Sequence, residues 1–441
     1  MIFVFLLGGS AREDVGSLVW LRPIAIMVCA AAILTIRREH LTRHLFIMWW
    51  SGAVVGLVVL HLVPLPPGLW QVLPGRTIIV DIDKIAGIAG EWRPLTMTPR
   101  MTRNALWSLA VPLAVLLLAV QLDSRALGKV LLVAGALALA SGVIAVLQIA
   151  SDPRGALYFY RITNNGSAVG LFANRNHQAL LLASAVPILA LNLTSYASPW
   201  LSRLPRWPML VAVVSFLVPL VLVTGSRSGV ILSAIAAGAS AVMLCGRAAK
   251  GQRAPRKAWL MPVGSAVLVV LAGAITLAMG RGVGLDRLMG DDVTGDLRLR
   301  LLPTMAQMVR EFFPWGSGIG SFAPVYKIYE PDSMLFAQYV NHAHNDWIEL
   351  AITGGVPAVA LVAALVLWLG KRAYAILAGR SGSASVLAGA CLIIVLLCGM
   401  GSLSDYPLRV PSLAALFMLC LVCLSRDQAT SRLIDEQETI G

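Results

Sequence analysis

The chain has 441 residues, of which 58% are hydrophobic and only 13% charged, and its mean hydropathy is +0.79. A water-soluble domain carries roughly 25% charged residues and cannot bury this much apolar sequence, so composition excludes an ordinary soluble protein. The formal net charge of +13 does not indicate a nucleic-acid partner, because the basic residues fall between apolar segments and form no stripe with interleaved aromatics.

A helix crosses a bilayer with about 20 mostly apolar residues, since only an internally bonded backbone is satisfied in lipid. In chain order such segments lie near 1 to 9, 18 to 36, 44 to 63, 104 to 121, 128 to 150, 177 to 195, 208 to 224, 228 to 246, 259 to 279, 346 to 370, 384 to 402 and 408 to 424. The expectation is an all-α polytopic membrane helix bundle of about 12 spans, the first being the shortest. The opening MIFVFLLGGS has no basic stretch ahead of its apolar run and no A-x-A site, so it reads as a first span and not as a removable signal. Cys29, Cys245, Cys391, Cys398, Cys420 and Cys423 fall in or beside apolar stretches and read as packed thiols, the Cys420 and Cys423 spacing included.

Short loops rich in Lys and Arg stay on the cytoplasmic side. Arg37, Arg38 and Arg43 share one such loop, Arg203 and Arg206 a second, Arg247, Lys250, Arg253, Arg256 and Lys257 a third, and Lys371, Arg372 and Arg380 a fourth. Alternating the spans puts all four on one side, with both termini in the cytoplasm. The chain then divides into N-terminal transmembrane helices over 1–279, a large outer loop over 280–345, C-terminal transmembrane helices over 346–424 and a cytoplasmic tail over 425–441.

The outer side receives the segments 64 to 103, 151 to 176 and 280 to 345, and the turn TGSRSG at 224 to 229. In the largest loop Leu302, Met305, Met308, Val309 and Phe312 recur at helical spacing before Pro314 and the glycines 316, 318 and 320. This predicts a short amphipathic helix, either lying on the outer membrane surface or packing onto the outer ends of the spans.

Three stretches place chemistry at span entrances. In NHAHNDWIELAITGGVP, from Asn341 to Pro357, the residues His342, His344, Asn345, Asp346 and Glu349 run straight into a span. An imidazole there suits a general base, ahead of a helix-capping reading and a metal-binding one. Arg227 in GSRSG sits between two closely spaced spans, where its guanidinium fork matches a phosphate; the alternative is an arginine that snorkels to anchor the hairpin. Arg298 and Arg300 in GDLRLRLLP offer a second phosphate clamp or a solvated pair of charges. The run LFANRNHQALLL puts Asn174, Arg175, Asn176 and His177 before another span, for contact with a sugar or head group or for capping. In SDYPLRVP, Asp405 and Arg409 read as an ion pair that locks an outer turn.

Taken together, His344-Asn345 followed by Gly355 in a Gly-x-x-small setting, GSRSG, the N-R-N-H run and the many-span plan resemble the O-antigen ligase and polymerase (Wzy_C-type) family of bacterial membrane proteins. The family often has Gly where this chain has Ala358, which is still small enough for close helix packing. The resemblance implies a GT-C-like glycosyltransferase of the bacterial inner membrane, acting at the periplasmic face on an undecaprenyl-diphosphate-linked glycan donor. It implies His344 as the essential histidine, Arg227 as the first essential arginine and Arg298 or Arg300 as the second, the arginines binding the donor diphosphate. Arg175, Asn176, His177, His342 and Asn345 would be contacts for glycan or lipid head group. No metal and no cofactor is implied.

The acceptor would be a further lipid-linked glycan, for an O-antigen or exopolysaccharide polymerase, or lipid A core, for a ligase; a protein acceptor is the less common case. Polysaccharide-assembly proteins and the lipid bilayer are the remaining expected partners. A transporter or flippase of lipid-linked oligosaccharide competes with these readings, but it needs polar groups along the midplane, and here they gather at one face. No internal repeat of the inverted kind is visible. A scaffold in an export complex would not require His344 or Arg227.

Overall fold

The computed structural model describes residues 1–192, 206–248, 293–335, 339–378 and 385–440, with side chains described for 1–190, 209–244, 299–335, 339–378 and 386–426. The expected span at 259 to 279, the basic residues Arg203, Lys250, Arg253, Arg256, Lys257 and Arg380, and the loop arginines Arg281 and Arg287 lie outside the described residues.

The fold is mostly helical. In chain order the elements used below are α1 (Ile2–Leu7), α2 (Leu18–Thr35), α3 (Leu45–Leu60), β1 (Pro64–Leu65), α4 (Thr77–Ile85), β2 (Arg93–Pro94), α5 (Pro99–Ser108), α6 (Ala110–Ala119), α7 (Ser124–Ile149), α8 (Arg175–Pro187), α9 (Arg206–Val223), α10 (Arg227–Ala248), α11 (Val293–Phe312), α12 (Phe322–Tyr329), α13 (Asp346–Leu377), α14 (Ser385–Gly401) and α15 (Pro411–Ile440). Among the described residues five helices are long and apolar enough to cross a membrane: Leu18–Thr35, Pro99–Ala119, Ser124–Ile149, Arg227–Leu244 and Asp346–Leu377. Leu45–Leu60, Met209–Val223, Val386–Gly401 and Pro411–Arg426 are shorter apolar helices. With six residues, α1 is far shorter than a span.

The bundle is built around α8, which is buried continuously from His177 to Pro187. Small residues let its neighbours close in: a side chain at Gly142 of α7 would come within 3.3 Å of Leu182, and one at Gly229 of α10 within 2.3 Å of Ala179. Residues that follow α1 thread into the same end, where Gly9 N–H donates to the Tyr160 hydroxyl (2.8 Å) and Gly9 O accepts from Ala173 (3.0 Å). Large apolar side chains such as Trp20, Leu34, Trp49 and Leu367 point outward, as a lipid-facing surface requires. Cys391, Cys398, Cys420 and Cys423 are buried free thiols, in keeping with a packing role.

The amphipathic helix of the large loop is α11, and it is longer than the periodicity indicated. Its buried stripe is Leu301, Met305, Met308 and Phe312, while Leu302, expected on that stripe, is 40% exposed. The stripe packs with Phe322, Val325 and Tyr326 of α12 and with Ala343 and Ile352 around the start of α13. Of the two arrangements open from sequence, α11 adopts packing against the end of a span.

Helix α13 is kinked where Gly355 takes φ 59 and ψ −155. The cause is local. Pro357 has no N–H to offer the carbonyl of Thr353, and that carbonyl accepts instead from Gly318 N–H at 2.8 Å. Ser317 N–H donates to Ile352 O (3.0 Å) and Val356 N–H donates to Pro314 O (2.8 Å), so the segment 314–318 replaces part of the helix's own ladder. A side chain at 355 would lie 2.1 Å from Pro314 O, which only glycine avoids.

Candidate active site

Three helix N-termini and one interhelical loop meet at the site. Asn345 caps α13, its side-chain oxygen accepting from Trp347 and Ile348 N–H at 3.1 Å each, and its amide donates to Leu403 O at 3.1 Å. Asn174 caps α8 by accepting from Asn176 N–H at 2.8 Å. Capping, one of the readings open for both runs, is therefore a use these asparagines do have. Just before the α13 cap, His344 takes φ +50, the one left-handed residue other than glycine among the described residues. Such a conformation is uncommon outside glycine and concentrates at functional sites.

The loop 402–410 supplies the centre. Asp405 is 3% exposed, and its Oδ1 lies 3.6 Å from His344 Nδ1 and 3.8 Å from His177 Nε2. Its Oδ2 accepts from the amides of Asn174 (3.0 Å) and Asn176 (2.8 Å). Burial alone would raise this carboxyl; the neighbouring His177 and His344 imidazoles and the Asn176 bond outweigh burial and hold it below the usual carboxylate range. Three imidazoles surround the Tyr406 ring, with centroids at 4.2 Å for His342, 5.3 Å for His344 and 5.4 Å for His177. Burial, and then Asp405, push the Tyr406 phenol up, so it stays a neutral hydroxyl.

A second ionic group lies alongside. Glu349, 1% exposed, faces His342 Nδ1 at 3.1 Å and Arg409 Nη2 at 3.1 Å, and accepts from Ala343 N–H at 2.9 Å. Arg409 Nε donates to Asp346 Oδ1 at 2.7 Å. Burial alone would lower this guanidinium, but Glu349 and Asp346 outweigh it and raise it. The expected Asp405–Arg409 lock is thus corrected. The two carboxylates at the start of α13, Glu349 buried and Asp346 half-buried, need a cation and take Arg409, while Asp405 serves the histidines.

The remaining expected residues divide as follows. His342 and His344 are brought together at Tyr406, and His177 joins them, 2% exposed and beyond easy reach of a solvated sugar. Asn176 connects the site to GSRSG, because its side-chain oxygen accepts from Ser226 Oγ at 2.8 Å. Arg227 follows Ser226 directly, exposed at the first position of α10, and Arg175 is half-buried at the first position of α8. Arg300 is exposed on α11; the side chain of Arg298 lies outside the described residues. Leu301, next to Arg300, and Ala343, next to His344, belong to one buried apolar cluster. Among the described residues no group of three or more His, Cys, Asp or Glu has metal-holding geometry. Asp405, Tyr406 and Arg409 were missed as site residues; the available signal was three polar side chains in a short loop between two apolar spans.

A helical bundle with lipid-facing flanks and ionisable groups gathered at helix ends defines a multi-pass membrane protein. Residues 210–363 match the family described as O-Antigen ligase, which supports the resemblance drawn from the motifs and, in general terms, glycan transfer of the O-antigen ligase and polymerase type. The matched stretch contains Arg227, Arg298, Arg300, His344 and Gly355, and it excludes Asn174 to His177 and Asp405 to Arg409. No curated protein matches the chain.

Proposed function

We propose that the chain transfers a glycan from an undecaprenyl-diphosphate-linked donor to a sugar hydroxyl at the periplasmic face of a bacterial inner membrane, as an O-antigen or exopolysaccharide polymerase or as an O-antigen ligase. The observation that carries the reading is the pairing of His344 with buried Asp405 at the entrance of α13. With Nδ1 turned to the carboxylate, the imidazole keeps Nε2 for a proton. The 3.6 Å separation is longer than a formed hydrogen bond and is of the kind that tightens when substrate binds.

In the proposed step His344 Nε2 takes the acceptor hydroxyl proton as that oxygen attacks the anomeric carbon. The bond from this carbon to the diphosphate oxygen breaks, and its electrons leave with the lipid diphosphate. Attack opposite the leaving group inverts the anomeric configuration. Asp405 stabilises the imidazolium that forms, and Arg227 with Arg298 or Arg300 meets the charge growing on the diphosphate, in the place where other enzymes use a divalent ion. His342, Arg175, Asn176 and Asn345 border the space where glycan or head group would sit. The twelve-span plan, with both termini in the cytoplasm, is the topology that goes with this reading.

The test is to incubate purified protein with an undecaprenyl-diphosphate oligosaccharide, with and without lipid A core, in the presence of chelator. A ladder of products identifies a polymerase and a single shifted core band a ligase. Loss of product with chelator contradicts the arginine-only mechanism. His344→Ala and Arg227→Ala should each abolish transfer while the protein remains inserted, and wild-type product from both variants refutes the site.

A further inference from the structure

The segment from the end of α3 to the start of α5 is turned inside out. Within it Asp83 of α4 is fully buried and ion-paired with Arg93. Trp70 is also buried, its Nε1 donating to Glu91 O at 3.1 Å, and Gln71 donates to Ala89 O at 2.7 Å. The outer side is apolar: Ile78, Ile82 and Ile85 are 41%, 56% and 89% exposed. These three recur at i, i+4 and i+7 and so form a single row along α4. Leu69, Val72, Ile88 and Trp92 are exposed in the same segment. A helix facing water turns its apolar row inward, whereas α4 turns its row outward and buries Asp83, with Asp81, exposed and ion-paired with Lys84 at 3.8 Å, at the edge of the row.

The base of the segment says what medium the row meets. β1 pairs with β2, Pro64 opposite Pro94 and Leu65 opposite Arg93, and so closes the segment just beyond the end of the apolar helix α3. Only His61 to Val63 lie between α3 and β1, in turns bonded back to Leu57, Val59 and Leu60, so β1 begins less than about 10 Å from that helix end, the extended length of three residues, which is within the head-group layer if α3 spans the bilayer. Indole rings concentrate in the same layer. We propose that α4, with Leu69, Val72, Ile88 and Trp92, is a membrane foot whose isoleucine row lies in the lipid leaflet beside the end of the bundle.

The foot is tied to the site's framework. Arg76, which precedes α4, is buried and donates to Leu95 O (2.6 Å) and to Gly316 O (3.1 Å), and Met97 N–H donates to Ser317 O (2.9 Å). Gly316 and Ser317 belong to the segment that clasps α13 about two turns from its cap at Asn345. Contact of the foot with lipid therefore fixes the depth of the α13 entrance relative to the leaflet.

The test is independent of transfer activity. Full-length protein in nanodiscs of phosphatidylcholine and phosphatidylglycerol carries Ile82→Cys, Ile85→Cys or Lys84→Cys, each labelled with the fluorophore NBD and corrected for label on protein without the added cysteine. Ile85 makes little packing, so its replacement leaves the fold intact. The expected result is blue-shifted emission at 82 and 85 that lipids spin-labelled near the head group quench, with water-like emission at 84. Water-like emission at all three positions overturns the proposal. So does shielding at 82 and 85 that spin-labelled lipid does not quench, which would assign the row to a protein partner or a second copy of the chain.

Discussion

His344 Nδ1 and Asp405 Oδ1 lie 3.6 Å apart although 61 positions separate them in the chain, and Asp405 is held in place by the amides of Asn174 and Asn176. The carboxylate orients an imidazole that is otherwise strained, at φ +50. Asp405→Asn retains the shape and removes the charge. Glycan transfer by this variant should fall roughly 10²- to 10⁴-fold, the range of a general acid–base contribution. Product formation by purified protein measures it, and an Asp405→Asn enzyme of wild-type rate would dismiss the orienting role.

The same carboxyl makes stability depend on pH. Its folded value lies below the ordinary one, so folding favours the ionised form. The contribution is complete above the unfolded value of about 3.9 and is lost as pH falls below it toward the folded value. Thermal unfolding of detergent-solubilised wild type should weaken across this acid range, and Asp405→Asn should show a shallower decline. Parallel curves would mean that Asp405 contributes nothing to the acid sensitivity.

Glu349→Ala leaves Arg409 with Asp346 alone and takes the carboxylate from His342. Breaking a buried ionic group in this way costs about 3–5 kcal/mol. Thermal unfolding should report the loss, while Glu349→Gln, which retains an acceptor for Ala343 N–H, should recover part of it.

Gly355→Ala tests the clasp between α13 and the segment 314–318. The backbone at φ 59 and ψ −155 belongs to a region that glycine almost alone occupies, at a cost of about 1–3 kcal/mol for other residues. The added methyl also meets Pro314 O at 2.1 Å, so destabilisation should exceed the conformational cost by itself. Ala358→Gly should be mild by comparison, at about 1 kcal/mol for glycine within a helix. Equal melting temperatures for Gly355→Ala and wild type would reject the clasp.

Composition and apolar runs alone determined that this chain is a lipid-facing helical bundle, because backbone in lipid has few ways to be satisfied. Residue type at helix entrances singled out His342, His344, Arg227 and the N-R-N-H run, since polar groups at such places are costly and seldom incidental. The partners of those groups were not legible. Asp405 and Arg409 sit four residues apart and read as a pair, yet each serves a different set of charges, because buried ions are matched by proximity in space and not along the chain. The outward row of α4 was likewise hidden: periodicity marks an apolar face, and only tertiary packing decides which way the face turns. Gly355 stood out in the sequence as a place for close packing; it was the fold that made it a kink, when Pro357 freed a carbonyl and a distant glycine-rich segment arrived to bind it.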